Sequence, residues 1–190
     1  CASYGFERLE DMLLAQTEIA REGVASECYG FDPYYNAGFE DKGFTLKEGL
    51  SVLAEVARSG KSLVSGMKNA LKMATQGKKV LSQVNYSLHI ATDGPTEEAV
   101  ASQLMIAEQR VLQHGGAPIG NAIPLAFRSQ PFGGVRTILL GSKGEVWIPV
   151  HGFFPLSRAV EAAQTTERFF AEQRELMEQY NIKYSYLTCF

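Results

Sequence analysis

Three times along this chain an amphipathic helix runs into a small or turn-forming break and then into a short strand. The helices begin near Phe6, Pro95 and Pro155, and the breaks are Gly23, Gly115–Gly116 and Asn181. The second and third helices follow strands, around Tyr86–Thr92 and Glu145–Val150. The first does not, because the chain opens at Cys1, without an initiator Met, almost directly on its helix. Helices recurring between strands, with a hairpin besides, predict an α+β fold. The sheet is expected to be mostly antiparallel, covered on one face by helices and built from duplicated ferredoxin-like units. Its other face is expected to be free to meet something else. A β-α-β unit without its opening strand predicts a piece of a larger protein.

At 190 residues the chain is long enough for one domain with a real core. A hydrophobic fraction of 45% and a charged fraction of 21% fit a globular chain in water. The net charge of -3 gives no argument for nucleic acid, and no nucleic-acid partner is expected. No apolar run approaches the roughly 20 residues that cross a bilayer. Three cysteines, Cys1, Cys28 and Cys189, are widely spaced and odd in number. They form neither a disulfide framework nor a CxxC pair, so a reducing cytoplasm is the default compartment. Cys1 also admits a self-processed amidohydrolase with an N-terminal nucleophile, although nothing after it resembles the long strand pairs of such enzymes.

In the first helix Leu9, Met12, Leu13 and Ala20 recur at three- and four-residue steps and form one stripe. Gly23 suits the C-terminal cap, where positive φ is cheapest for glycine. Val24–Phe31 can be a strand closed by Asp32-Pro33, and the aromatic, glycine-rich Tyr34–Gly43 reads as irregular. Residues 45–83 read as a helical insertion, with one helix through Leu46, Leu50, Leu53 and Val56 and another through Leu63, Met67, Leu71 and Met73. Its stretch 58–79 carries Arg58, Lys61, Lys68, Lys72, Lys78 and Lys79 and no acid. Such a segment can form a solvated face, make weak contact with an anionic membrane, or dock an acidic partner. Ser59-Gly60-Lys61-Ser62 lacks the upstream glycine of a phosphate loop, whose place Glu55 takes.

The second unit alternates Tyr86, Leu88 and Ile90 on one strand face. Asp93-Gly94-Pro95 then turns the chain, and Thr96 can cap a helix whose first turn carries Glu97 and Glu98. The third unit starts from a hairpin, Val135–Leu140 and Glu145–Val150 about Gly141–Gly144. Its helix runs from about Ser157 to Tyr180, with Ala159, Ala162, Ala163, Phe169, Phe170, Leu176 and Met177 as its apolar side. Asn181 stops that helix, and Tyr184–Phe190 leads out as a strand.

Phe6-Glu-Arg-Leu9-Glu10-Asp11, its helix, Gly23-Val24, Ser26-Glu27-Cys28 and Asp32-Pro33 resemble the opening of the cap domain of FAD-linked oxidases. That group holds vanillyl-alcohol oxidase, p-cresol methylhydroxylase and the D-lactate and glycolate dehydrogenases. Ser87–Asp93-Gly94, Glu97-Glu98 and Gly115-Gly116-Ala117 are similar to the family's second unit. Gly144-Glu145-Val-Trp147-Ile-Pro149-Val150, with Tyr180-Asn181-Ile182, is similar to the Pro-Val strand and helix of its phenol-oxidising branch. Two departures stand out. The FAD-binding domain is absent from this chain, and the basic insertion has no counterpart. Lys143, Gly144 and Glu145 also stand where some members carry a His or Tyr bonded to the flavin.

The resemblance implies a substrate-binding cap, inert alone, in an enzyme that passes a hydride from a phenolic alcohol or 2-hydroxyacid-like substrate to FAD. The partners implied are that small molecule and the FAD-binding domain of the same parent protein, with a homo-oligomer left open. Trp147, Pro149 and His151 would alternate on one strand and Tyr184, Tyr186 and Thr188 on another. Their aromatic, hydrogen-bonding surface suits such a substrate. His151 is the candidate base or anion partner, and Trp147, Tyr184 and Tyr186 are candidates for the substrate surface. Arg136 could bind a carboxylate through both its nitrogens. Each has a plainer role open to it: a structural histidine, a core tryptophan, a solvated arginine. His89 and His114 have no metal-ligand spacing. A non-catalytic ferredoxin-like binding or assembly module is the alternative function.

Overall fold

The computed structural model describes residues 1–41, 84–129 and 148–190. The expected insertion at 45–83 with its basic run, most of the 135–150 hairpin, Arg136 and Trp147 lie outside the described residues. Strand β1 (Ala2–Phe6) leads into helix α1 (Leu9–Glu22), then β2 (Glu27–Phe31) and α2 (Pro33–Asp41). After the undescribed stretch come β3 (Tyr86–Ala91), α3 (Glu97–Gln113), β4 (Ala117–Gly120) and α4 (Ala122–Ser129). A 3-10 turn at Leu156–Arg158 opens α5 (Ala159–Glu172), followed by α6 (Arg174–Gln179) and β5 (Leu187–Cys189).

The strands form one antiparallel sheet in the order β4-β1-β3-β2-β5. The set β1-α1-β2-β3-α3-β4 has the element order of one ferredoxin-like unit, and β5 extends it beyond β2. The opening strand that the sequence reading lacked is present: Ala2–Phe6 pairs with β3 from Ala2↔Ile90 to Phe6↔Tyr86. It escaped notice because it is five residues long and both its faces are buried from Ser3 onward, so no polar alternation marks it.

One face of the sheet receives Tyr4, Phe6, Cys28, Leu88 and Ile90, which pack against Met12, Leu13, Ala15 and Ile19 of α1 and Ala107 and Val111 of α3. Gly23 ends α1 in the left-handed conformation, φ 63, with its N–H on Ala20 O. Thr96 caps α3 by accepting the Ala99 N–H at 3.2 Å. Buried Gln16 fastens α1 to two strands: its amide nitrogen donates to Cys28 O, and its oxygen accepts from Thr188.

The second face is not free. Helix α2 packs on β2 and β3, and α4 packs on β1 and β3. Asp32-Pro33 starts α2 where the sequence suggested irregular chain. The Asp32 carboxylate accepts the Tyr35 N–H at 2.8 Å, and proline is favoured in a helix's first position. On this face Phe31 lies 4.4 Å from Tyr35 and 6.0 Å from Phe127, centroid to centroid. Helices therefore cover both faces among the described residues.

The third unit differs most from its expectation. Residues 148–150 form no strand and are exposed, Val150 at 91%. With Pro149 lacking a donor and no strand beside them among the described residues, nothing holds them extended in a ladder. The last helix breaks at Gln173 into α5 and α6, and none of its residues is buried. Of its apolar side, Val160 and Ala163 reach the core, while Phe169 and Leu176 are exposed. Asn181 ends it with φ 51.

Candidate functional site

Two polar constellations stand out, one open and one buried. The open one lies where the β1–α1 turn, the start of β3 and α5 meet. Glu7, Arg8, Leu9, Glu10, Tyr86, Ala163, Gln164 and Glu167 line a groove of about 440 Å³. The Arg8 guanidinium pairs with Glu10, to which Gln164 also donates at 2.6 Å. Glu167 accepts the Tyr184 hydroxyl at 2.9 Å. The Tyr184 ring stacks on Phe170 with centroids 4.1 Å apart and planes 10° from parallel. Tyr186 meets Tyr184 edge-on at 5.8 Å.

Charge and burial act together here. Burial, and then the hydrogen bond to the Glu167 carboxylate, hold the Tyr184 phenol above the ordinary tyrosine range. Burial raises Tyr86 and Tyr186 too, with the Glu167 charge next in importance. Asp32 is raised by burial, against three hydrogen bonds that favour its charged form. The groove thus offers the Tyr86 phenol beside carboxylates, with Tyr184 joined to it through Glu167, an arrangement suited to a hydroxyl that can donate to an acid.

The buried constellation is a string across the second face. Its direction follows from donor counting. Asn36 Nδ2 donates to Asn85 O at 3.3 Å, and Asn36 Oδ1 accepts the Ser87 hydroxyl at 2.7 Å. Ser87, its one proton used, then accepts from His89 Nε2 at 2.9 Å. His89 Nδ1 is left to accept from the Ser3 hydroxyl at 2.8 Å. The imidazole is fully buried, and burial pushes its pKa down to about 3, so it is neutral at pH 7.

The sequence candidates separate. Tyr184 and Tyr186 come together, joined by Glu167, Tyr86 and Asp32, none of which the sequence suggested for the site. They precede β5 rather than lying on it, so the expected alternation through Thr188 applies only to Leu187–Cys189. His151 is exposed in the irregular run 148–155 and is not among the residues lining the groove. Trp147 and Arg136 lie outside the described residues. Among the described residues no three His, Cys, Asp or Glu side chains could hold a metal ion. No helix is long and apolar enough to cross a membrane among those residues. No known family, curated protein or solved structure matches the chain.

Proposed function

We propose that this chain is the substrate-binding cap domain of an FAD-dependent oxidoreductase of the vanillyl-alcohol oxidase type. Its sheet would be one of the duplicated ferredoxin-like units of such a cap. The observation that carries the reading is an open groove beside α1 lined by Tyr86 and Glu167, with Tyr184, stacked on Phe170, joined to it through its hydrogen bond to Glu167. A phenolic alcohol or 2-hydroxyacid-like substrate would lie against Tyr184 and Tyr186. A hydroxyacid would also need a cation for its carboxylate. Arg8 is engaged by Glu10, which leaves that role to Arg136. His151 is kept as the candidate base.

FAD, when bound, accepts the hydride. Glu7, Glu10 and Glu167 would repel its pyrophosphate, so the groove is not assigned to the cofactor's phosphates. What the groove itself can do is receive a hydroxyl beside Tyr86 and accept its hydrogen bond at Glu167. Cys1, Cys28 and Cys189 form no disulfide, in keeping with a cytoplasmic setting.

The test is a visible absorption spectrum of the full-length parent protein, before and after acid precipitation. A flavin spectrum is expected, with the colour left in the supernatant if the flavin is not covalently held. A colourless parent that also fails to take up added FAD overturns the reading and puts the ferredoxin-like binding module in its place.

A further inference from the structure

Asp32 ends the chain's run through β2 and opens α2, and it is only 5% exposed. A carboxylate so placed needs hydrogen bonds to offset its lost hydration. Capping α2 requires only one of them, the bond from the Tyr35 N–H. The other two come from far along the chain. Ser185 Oγ donates to Oδ1 at 2.7 Å, and the Tyr186 N–H donates to Oδ2 at 3.0 Å. The Asp32 N–H returns a longer bond to Tyr186 O, 3.4 Å. Ladder pairing of β5 with β2 begins only at Leu187↔Phe31. Segment 184–186 is therefore held on one side by Asp32 and on the other by Glu167 and Phe170.

We propose that Asp32 is the positioning residue of the tyrosine pair beside the groove, Tyr184 and Tyr186. Its carboxylate fixes the backbone at Ser185 and Tyr186, so that Tyr184 lies flat on Phe170 with its hydroxyl on Glu167. The inference rests on the reading of this groove as the substrate site. It assigns Asp32 no contact with substrate; its action passes through the two tyrosines.

Asp32→Ser separates the two roles of the carboxylate. Serine caps helices well but is too short to reach Ser185 and Tyr186. In NMR spectra of the full chain, the Tyr35 amide should stay protected from exchange. The Tyr186 amide should exchange at least about tenfold faster, as expected for losing a bond to a charged acceptor. The Tyr184 ring signals should lose the shift imposed by the Phe170 ring. Unchanged Tyr184 and Tyr186 signals beside a protected Tyr35 overturn the proposal. Should the variant lose its β1–β3 amide protection altogether, Ser185→Ala decides, since it removes one bond from the far side. The Tyr184 and Tyr186 signals must then move in that variant, and their constancy overturns the proposal. None of these readouts needs a flavin. A colourless parent removes the oxidase reading without moving these signals, and unmoved signals remove the positioning role even in a parent that carries flavin.

Discussion

His89 occupies a fully buried position on the central strand, where an imidazole must stay neutral to be tolerated. Burial holds its folded pKa near 3, against about 6.5 when unfolded. The unfolded chain therefore takes up a proton first as pH falls. The stability tied to this neutral form is complete above about pH 6.5 and drains away as pH drops towards 3. Between about pH 7.5 and 5, wild-type urea stability should fall by about 2 kcal/mol more than that of His89→Gln. Ser87→Ala strands His89 Nε2 and Asn36 Oδ1 together, and should cost about 1–3 kcal/mol in the same assay. Neither consequence was legible in the sequence. There His89 is one polar residue in an alternating strand, and its partner Ser3 stands 86 positions away. The groove was half legible: Tyr184 and Tyr186 advertise themselves as aromatic neighbours. Glu167 and Asp32 look like ordinary acids until the fold brings them to those rings.

Among the elements, those with a chemical start and stop were readable. Thr96 before Glu97-Glu98, and Gly23 after the apolar stripe of α1, name their own roles through the caps they form. Thr96→Ala should cost about 1 kcal/mol in thermal or urea unfolding. Helix α2 carried the same kind of signal in Asp32-Pro33, but the glycine and aromatics that follow outweighed it. Strand β1 carried none. Close packing between elements is harder still to read. A Cβ on Gly30 would stand 2.6 Å from Met12 Cε and 2.5 Å from Thr188 Oγ1, because α1, β2 and β5 converge there. Gly30→Val should therefore destabilise by about 1–3 kcal/mol through overpacking, measured as a lower urea midpoint with an unchanged slope. An equal or higher midpoint would show that Met12 swings aside at no cost.

For the molecule as a whole, strand order sets where stability resides. β3 lies between β1 and β2, with helices over both faces, whereas β4 and β5 are the edges among the described residues. Hydrogen exchange should be slowest at Leu88 and Ile90 and fastest at Ile119 and Thr188, by a factor of at least about a hundred. Uniform exchange across the sheet would contradict that ranking. The same strand order bears on how the chain reaches this state. Residue 2 pairs with residue 90, and residue 31 with residue 187, so neither flank of the sheet can zip up from a local hairpin. Each ladder waits on closing a long loop, an entropy that must be met before contacts reward it. During synthesis β2 emerges well before β5, and its outer edge stays unpaired until Leu187–Cys189 leave the ribosome. The chain should accordingly fold slowly, and until β5 is made the strand most exposed to wrong pairing is β2, the one that ends at Phe31.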